Sequence, residues 1–555
     1  MEWNETYDVV VIGGGAGGLV AAITAQAHGL KTLVIEKSDV LGGSSALSGG
    51  GLWIPNNHVS KKAGLQDSED DALLYMETVI EHDGASSTLE RKQAFVRNGP
   101  KMVHYLEDLG IKWRDAINYP DYYPDKPGGK IGRSIECEIF NTKELGEYEK
   151  LLRKPSLSMP FPIYSGNVAP IPRAFTSFKD FSSVFGMVMN GVKLKVRGAN
   201  GVSIGQALIG RLMQIALVVG VEFRVNTPLK DIVLENDAIV GVEVEQNGQS
   251  HSIACKAAIM ASGGFDHNPE LRKKYHNLDG DWSSGSPSNT GDLLALAEKY
   301  NLDTELLDDA WWGPTLMDPK GNPNFMVFDR SLPHTIIVDG NGERYFNESE
   351  SYVDAGHAML DQQEKNGNAN PSWVILDGRF RKRYLFAGML PNMTPKSAYE
   401  SGFMVKADSL EELAEKCGLN KDTFRQTIDR FNTFVENGQD EDFGRGNTAY
   451  DQYYGDPSYP NPNLGEISKP PFYAAKVYPG DLGTKGGFVA NEYSEVLQKG
   501  EPIKGLYATG NCSASVMGRT YPGPGSTLGP ATVFGYIAAN HIKETLFNPA
   551  SVTTS

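Results

Sequence analysis

The chain has 555 residues, 40% of them hydrophobic and 22% charged, and 52 Lys and Arg residues against 69 Asp and Glu residues give a net charge of −17. This composition is typical of a globular chain with two or more domains, and it excludes a disordered or fibrous protein. An acidic chain repels phosphate backbones, so nucleic acid is not an expected partner.

The first fifty residues predict a β-α-β unit. Residues 7–12 and 31–35 read as buried strands, and residues 19–27 read as an Ala-rich helix between them. The turn before the helix has the Gly-x-Gly-x-x-Gly spacing of a dinucleotide site. Gly13 permits the tight turn, Gly15 lets a pyrophosphate approach, and Gly18 allows the helix to pack on the strand.

Glu36 ends the second strand, where a carboxylate would accept the ribose hydroxyls of a nucleotide. The Gly/Ser-rich stretch 41–51 follows directly. We expect it to wrap the rest of the nucleotide, with a flexible linker as the alternative. The residues predicted to bind a cofactor in this region are Gly13, Gly15, Ala16, Gly17, Gly18, Glu36, Lys37, Gly42, Gly43, Ser44, Ser45, Ser48, Gly49 and Gly50.

A Pro-rich insertion at about 145–199 changes the texture of the chain. Its second part, 178–194, predicts an amphipathic or largely apolar helix, for which core packing is the expectation. The alternative is a peripheral membrane contact, supported by Lys193, Lys195 and Arg197.

Residues 221–264 predict several strands (221–225, 231–235, 238–246 and 251–261) that end in a Ser-Gly-Gly turn containing Ser262 and Gly263. Residues 311–481 have a mixed texture, with strands near 335–338 and 373–376 and helices near 410–417 and 421–437. The tail returns to Gly-rich turns, which include Gly510 and Asn511, and a final helix at 529–541. We therefore predict a nucleotide-binding domain of residues 1–310 and 483–555, with a catalytic domain of residues 311–482 inserted in it.

The cysteines Cys137, Cys255, Cys417 and Cys512 form no Cys-x-x-Cys pair and lie near no paired histidines, so neither a disulfide framework nor a metal site is expected. The N-terminus lacks a signal-peptide pattern, which favours the cytoplasm. The longest uncharged stretch, 520–542, contains several prolines and glycines, so no transmembrane helix is predicted.

Together, GGGAGG with Glu36, GGSSALSGG and GLYATGN resemble the FAD-binding flavoproteins of the fumarate reductase and succinate dehydrogenase superfamily. Within it, the chain resembles 3-ketosteroid Δ1-dehydrogenases over nearly its whole length except the Pro-rich insertion. Four segments carry this resemblance: PDYY (120–123), ERYFNESESY (343–352), DLGTKGG (481–487) and GRTYPGPG (518–525). It implies an α/β fold, with a Rossmann-type, glutathione-reductase-like FAD-binding domain and an inserted α+β catalytic domain.

The resemblance also implies a chemistry. Tyr521 and the backbone N–H of Gly525 would bind the 3-keto oxygen of a steroid such as 4-androstene-3,17-dione. Tyr352 would remove a proton from C2, Tyr122 would hydrogen-bond to Tyr352, and the flavin N5 would take a hydride from C1. Donors aimed at an enolate oxygen make C2 acidic, and a donor from Tyr122 would lower the pKa of Tyr352. From sequence alone, Tyr119 or Tyr123 could take the place of Tyr122.

The cofactor site is completed in the tail. The amide groups of residues 526–528, including Ser526 and Leu528, precede the last helix and are expected to face the flavin pyrimidine. No second Gly-x-Gly-x-x-Gly unit is visible, so a quinone is a better expected electron acceptor than NAD.

Three alternatives remain. A dicarboxylate oxidoreductase like fumarate reductase would clamp its substrate with basic side chains, for which the candidates are Arg330, His334, Arg344, Arg379, Arg381 and Arg383. Without a role in binding, these arginines would form a solvated basic surface turn. A 3-ketosteroid Δ4-(5α)-dehydrogenase would share substrate and flavin but attack another bond, and a flavin-binding protein without turnover would need no aligned tyrosines.

Overall fold

The computed structural model describes residues 2–81, 84–155 and 161–548. Part of the predicted Pro-rich insertion, residues 156–160 with Pro160, lies outside the described residues. In the rest of the chain, two large sheets and the helices around them form the fold.

The first sheet has ten strands and contains the predicted β-α-β unit. Five strands run parallel in one part of the sheet, in the spatial order Glu501–Ala508, Ala257–Met260, Val9–Ile12, Thr32–Ile35 and Glu222–Arg224, the last of which is an edge strand. Five more extend the sheet beyond Glu501–Ala508: Glu5–Thr6, Gln249–Ala254, Ala238–Gln246, Leu229–Glu235 and Glu495–Gln498. The predicted strand 251–261 is two strands, which separate at residues 255–256 and occupy different positions in the sheet.

Helices cover both faces of the parallel strands, which explains their continuous apolar sequences. On one face, helix Ala16–Ala27 packs against helices Ile204–Val219 and Leu528–Ile542. The first and last of these three cross closely, since a Cβ on Gly535 would lie 2.4 Å from the carbonyl oxygen of Gly17. On the other face lie helices Pro269–His276 and Asp292–Tyr300.

The second sheet is antiparallel and has six strands. In spatial order these are Pro323–Phe325, Ala310–Met317, Phe472–Thr484, Ser372–Leu376 and Thr335–Val338, and Val405–Ala407 also pairs with the third. Helices Leu410–Cys417 and Lys421–Asn437 pack on one face, which confirms the helices and strands predicted here. We propose that the two sheets mark two domains, with boundaries near residues 310 and 483.

Smaller elements connect these layers. A three-stranded sheet consists of Gly51–Trp53, Ser134–Cys137 and Trp113–Asp115. The remaining α-helices are Gly43–Leu47, His58–Lys62, Glu69–Val79, Leu89–Asp108, Phe178–Val196, Tyr352–Asn366, Gly378–Arg383, Lys396–Glu400 and Ala449–Tyr453. Short strands at Phe140–Asn141 with Gly201–Val202, and at Thr304–Glu305 with Gly487–Phe488, pair separately.

Helix Phe178–Val196 in the insertion exists as predicted, but the expectation that it packs in the core is wrong. Of its residues, Asp180 and Gly191 are buried. Its large apolar side chains are exposed, Phe178 by 86%, Phe185 by 53% and Val196 by 82%. An apolar pattern specifies a face that water disfavours but not what covers that face. Among the described residues, no helix has the length and apolar character needed to cross a bilayer.

Candidate active site

The Gly-rich turn between the first buried strand and the helix after it shows why glycines are needed. Gly13 has φ +112°, and a Cβ there would lie 2.3 Å from the carbonyl oxygen of Ala261. A Cβ on Gly18 would lie 2.2 Å from the carbonyl oxygen of Gly13. At Gly15, by contrast, a Cβ would meet the Ser45 hydroxyl at 3.6 Å and otherwise open space. The chain itself requires the first two glycines, whereas Gly15 leaves room for a phosphate.

This turn opens into a cavity of about 780 Å³. Ile12, Ile35 and Met260, which end three of the parallel strands, line the cavity, so it lies where open α/β sheets bind ligands. Its wall contains most of the predicted cofactor residues: Gly13, Gly15, Ala16, Gly17, Gly18, Glu36, Lys37, Gly43, Ser44, Ser45, Ser48, Gly49, Gly50, Ser262, Gly263, Gly510, Asn511 and Leu528.

The polar groups of this wall fit the phosphates and ribose of FAD. The helix that follows the turn begins after Gly15 without a side-chain cap, and such an N-terminus favours an anion. The Glu36 carboxylate is fixed at the cavity edge because it accepts hydrogen bonds from the amides of Gly14 at 3.0 Å and Ser38 at 2.9 Å. Ser44 is fixed in the same way by a hydrogen bond from Asn289, another wall residue.

Two residues predicted to contact the cofactor lie outside this wall. The Gly42 amide donates to the carbonyl of Gly14, and its φ of +115° reflects the turn that the loop makes there. Ser526 is fully buried, and both its amide and its hydroxyl donate to the carbonyl of Gly523. Both residues shape the loops around the cavity, a role that composition alone does not distinguish from ligand contact.

Tyr122, Tyr352 and Tyr521 converge at the other end of the same cavity. Their ring centroids are 5.0 Å apart for Tyr352 and Tyr521, 5.1 Å for Tyr122 and Tyr521, and 5.4 Å for Tyr122 and Tyr352. Tyr352 is the first residue of its helix, and the other two lie on loops. A backbone hydrogen bond of 2.9 Å from Tyr122 to Pro522 joins those loops, so residues far apart in sequence share one site.

The geometry separates Tyr122 from its two neighbours. Tyr123 lies outside the cavity wall, and its hydroxyl donates to Asp354 at 3.0 Å. Tyr119 lines the cavity, but its hydroxyl is hydrogen-bonded to that of Tyr454. Of these three tyrosines, Tyr122 is therefore the one whose ring packs against Tyr352 and Tyr521.

Gly525 lines the cavity with φ +99°, a conformation that favours glycine. A Cβ there would lie 2.4 Å from the carbonyl oxygen of Gly51. Its own carbonyl accepts from the amides of Trp53 and Gly529, which holds the peptide in place. Burial raises the pKa of Tyr521, and hydrogen bonds from Tyr352 and from the Gly525 amide lower it by less. The Gly525 amide therefore lies close enough to the Tyr521 hydroxyl to affect its pKa.

Burial reverses one expectation about the tyrosines. The sequence predicts that a hydrogen bond from Tyr122 lowers the pKa of Tyr352. That bond does lower it, but burial is the larger effect and raises the pKa of Tyr352 well above its usual value of 10. The pKa of Tyr122 is raised for the same reason. A phenolate is therefore costly here unless charge develops elsewhere at the same time.

Several side chains that support the site were not found from sequence. Trp311 meets the Tyr521 ring edge-on at 5.2 Å and donates to the Asn511 side chain at 3.3 Å. Behind it, the buried ammonium of Lys485 lies 4.9 Å from the Trp311 ring centre and 3.2 Å from a carboxylate oxygen of Asp309. The Trp-Trp pair at 311–312 and the lysine in DLGTKGG were the available signals.

The basic residues proposed for a dicarboxylate clamp do not reach the cavity. Lys37 is the cation in the described cavity wall, where it pairs with Asp292 at 2.8 Å. The interpretation of the arginines as a solvated surface is also wrong for several of them: Arg330 is fully buried and bonds to backbone carbonyls, and Arg344 forms ion pairs with Glu348 and Asp440. These arginines stabilise the second sheet region.

Comparison with known proteins agrees with this geometry. The family model described as an FAD binding domain matches residues 8–528. The 3-oxosteroid 1-dehydrogenase of Mycolicibacterium smegmatis is 42% identical, over 98% of this chain and 98% of that protein. The 4-oxocyclohexanecarboxylate 2-dehydrogenase of Sinomonas cyclohexanicum is 33% identical, over 97% of this chain and 93% of that protein.

A solved structure is similar throughout. The 3-ketosteroid Δ1-dehydrogenase from Sterolibacterium denitrificans, in complex with 1,4-androstadiene-3,17-dione, has a TM-score of 0.91 and 34% identity and covers 97% of this chain and 99% of that one. The predicted fold class and the predicted FAD cofactor are thereby confirmed.

Proposed function

This chain belongs to the FAD-dependent 3-oxosteroid 1-dehydrogenase family, and from that premise we propose that it desaturates the C1–C2 bond of a 3-ketosteroid such as 4-androstene-3,17-dione. The observation that carries the proposal is the convergence of three buried phenols and the Gly525 amide at one end of the FAD cavity. In the reaction, C2 loses a proton, C1 loses a hydride, and a C1=C2 double bond forms.

The residues of the cavity wall divide the work of binding. The Gly15 turn and the loop around Ser45 would hold the FAD phosphates, and Glu36 would hold a ribose. When bound, FAD supplies the acceptor for the hydride that leaves C1. Leu528 and Gly510, which line the same cavity, would border the isoalloxazine.

Tyr521 and Gly525 would polarise the substrate carbonyl. Both are held rigidly, the glycine by its two carbonyl hydrogen bonds and the tyrosine by Trp311. Donors fixed before the reaction stabilise an enolate oxygen more strongly than a steroid ketone, because the negative charge develops in a buried site. Loss of one such donor typically costs about 100- to 1,000-fold in rate.

Tyr352, as the phenolate, would then accept the C2 proton and become a neutral phenol, with Tyr122 donating a hydrogen bond to its oxygen. Because burial raises the pKa of Tyr352, the proton moves only as the keto oxygen gains charge. The two acid–base groups therefore have to act together. The ring of Phe325, edge-on to Tyr352 at 5.1 Å, shields this pair from water.

Apolar side chains make the wall around the tyrosines suitable for fused hydrocarbon rings. They are Val168, Phe325, Val327, Phe328, Met389 and Leu482. A cyclohexanone carboxylate would gain less from these walls and would need a cation near its carboxylate. In the described wall near the tyrosines there is no such cation.

The electrons would leave FAD for a quinone. The sequence contains one Gly-x-Gly-x-x-Gly turn, which lines the FAD cavity, and no second such turn for NAD. Anaerobic reoxidation of the substrate-reduced enzyme by a water-soluble quinone, and no reoxidation by NAD⁺, is the expected result. Reoxidation by NAD⁺ at the turnover rate would contradict it.

We further propose that helix Phe178–Val196 binds the anionic cytoplasmic face of a membrane, from which steroid and quinone could both be drawn. Its exposed side chains include Phe181, Phe185 and Met189. Its single acid, Asp180, is paired with Arg173 at 3.2 Å, whereas the helix end is basic. On a chain of net charge −17, an apolar face with a basic end suits an anionic lipid surface.

Co-sedimentation with vesicles tests the membrane contact. Binding to phosphatidylserine-containing vesicles but weakly to phosphatidylcholine alone is expected, and the F181E/F185E variant should lose binding while keeping its FAD. Leu74→Glu, at a 51% exposed site on another helix, is the matched control. If the wild-type protein sediments with neither kind of vesicle, the proposal is wrong.

Anaerobic reduction of the bound flavin tests the main proposal. We expect 4-androstene-3,17-dione to bleach the yellow protein and succinate and 4-oxocyclohexanecarboxylate to leave it coloured. NMR of the product should show a 1,4-diene-3-one. A product desaturated from a 5α-steroid at C4–C5 would instead assign the Δ4-(5α) reaction, and no bleaching by any 3-ketosteroid would leave a flavin-binding protein without this turnover.

A further inference from the structure

Three metal-binding side chains meet on the outside of the helices, away from the FAD cavity wall. His58 begins the short helix His58–Lys62, and His104 and Glu107 lie one turn apart on Leu89–Asp108. One ligand atom from each of the three residues lies within 4.8 Å of the others. We propose that these residues form a Zn²⁺ site that joins the two helices.

The donor set favours zinc. Two imidazole nitrogens and one carboxylate oxygen form a common three-ligand set for Zn²⁺, with a water in the fourth tetrahedral position. Bonds of about 2.0–2.1 Å place the ligand atoms of such a site roughly 3.3 Å apart. The His58 Nε2 and Glu107 Oε2 atoms are 2.6 Å apart, so small movements of these side chains reach that spacing.

The histidines must rearrange before both can bind one ion. Their rings are stacked, with centroids 3.6 Å apart and planes 12° from parallel, whereas each imidazole nitrogen directs its lone pair within its own ring plane. The His104 side chain is exposed, and the contact of its ring is the stack on His58, so the side chain can turn. The cost of the site is therefore the loss of one ring contact and of the hydrogen bond between His58 and Glu107.

Some charges around the site favour the binding of a cation and others oppose it. Glu107 offers a carboxylate that is 39% exposed. Lys62, on the same short helix as His58, opposes a cation, so we expect binding in the micromolar range, weaker than at a fully buried structural site.

The site would stabilise the layer that supports the flavin. The longer helix packs on Leu528–Ile542, with the rings of Tyr105 and Tyr536 5.3 Å apart. A metal that fixes His58 to His104 therefore braces the outer side of this helix pair. The sequence gives little sign of it, since the histidines come from segments far apart in the chain.

Calorimetric titration of the FAD-loaded enzyme with Zn²⁺ alone tests the site. The protein carries no histidine tag and is first treated with chelator. We expect one equivalent to bind and the Tm to rise. His104→Ala and Glu107→Gln should each weaken binding at least about tenfold and abolish the rise in Tm, with FAD content unchanged.

His251→Ala is the matched control, because His251 pairs with Glu5 at 3.0 Å and no second histidine in the described structure completes a ligand set there. It should bind Zn²⁺ like the wild type. Absence of binding by the wild type, or equal binding by the His104 and Glu107 variants, would overturn the proposal. These results are independent of whether steroids are the substrate.

Discussion

The two ends of the cavity are built in different ways. The nucleotide end consists largely of backbone groups from a short stretch of chain, with Gly13, Gly15 and the loop around Ser45 near each other in sequence. The tyrosine end consists of side chains from three remote segments, which a hydrogen bond from Tyr122 to Pro522 helps to join. We infer that the nucleotide end determines whether FAD is bound, and that the tyrosine end determines which reaction the bound FAD carries out. Substitutions should separate these two properties.

The largest expected effect is at the nucleotide end. Gly13→Ala forces a side chain onto a residue with φ +112° and places its Cβ 2.3 Å from a carbonyl oxygen, so the strand and helix cannot keep their positions. We expect little folded protein and no bound FAD, measured as flavin absorbance per chain. Gly186→Ala, where a Cβ meets nothing within 4 Å, is the control. Full FAD content in Gly13→Ala would contradict this account.

At the tyrosine end, Tyr521→Phe should keep FAD and lose activity. Removal of the hydroxyl takes away one of two donors to the keto oxygen, and kcat should fall by about 100- to 1,000-fold. Steady-state kinetics with equal flavin content measures this. Tyr507→Phe, a buried tyrosine whose hydroxyl bonds to His541, should retain activity. Full turnover in the Tyr521 variant would remove this residue from the proposed chemistry.

The pH profile sharpens the assignment of Tyr352. Its base form is the phenolate, and burial raises the pKa of Tyr352 above 10, so kcat should rise with pH from 7 towards 10 by up to about tenfold per unit. Tyr122→Phe removes a hydrogen bond that lowers this pKa, which should shift the profile to higher pH. A wild-type plateau that begins below pH 8 would point to a different base.

Gly15→Ala distinguishes space for a ligand from space needed by the chain. Its Cβ would meet only the Ser45 hydroxyl, at 3.6 Å, and its φ of −76° suits alanine, so the fold should persist. The added methyl group occupies room that a phosphate needs, so we expect about tenfold weaker FAD binding. Flavin release on dilution measures this. Unchanged retention would show that the phosphates lie elsewhere.

The smallest expected effect on rate is at Tyr123. Its hydroxyl donates to the half-buried Asp354, outside the cavity wall. Tyr123→Phe should leave kcat within about twofold but lower the free energy of unfolding by about 1 kcal/mol, because a half-buried acceptor loses its donor. Urea unfolding and kinetics on the same preparation separate the two effects. If Tyr123→Phe lowered the rate more than Tyr122→Phe does, Tyr123 rather than Tyr122 would have the proposed role beside Tyr352.

What could be read from the sequence follows the same division. The β-α-β unit and its glycines were predictable because the steric constraint on them is local. At Gly13 and Gly18, a side chain would clash with backbone a few residues away or next to the adjacent strand. The helices at 410–417 and 421–437 were predictable from their periodicity. The strand at 251–261 was not resolved into two, because one apolar run contained both.

The tyrosines were located through the resemblance, not through local pattern, and their environment was not predictable. Nothing in the segment around Tyr352 indicates that burial among other rings outweighs the hydrogen bond from Tyr122. Lys485 and Trp311 were missed because their contribution depends on contacts between residues far apart in sequence, such as that of Trp311 with Tyr521. Helix 178–196 was predicted, but the exposure of its apolar side chains was not. The sequence of a helix does not specify which surface, if any, covers its apolar face.

Deuterium exchange at C2 of the steroid is the most direct test of the tyrosine site. With the flavin already reduced, hydride transfer is blocked, and 4-androstene-3,17-dione deuterated at C2 reports only what the phenols and the Gly525 amide do. We predict that wild-type enzyme returns hydrogen to C2, as seen by NMR, and that Tyr352→Phe and Tyr521→Phe exchange it at least about 100-fold more slowly. Equal exchange in all three proteins would contradict the account.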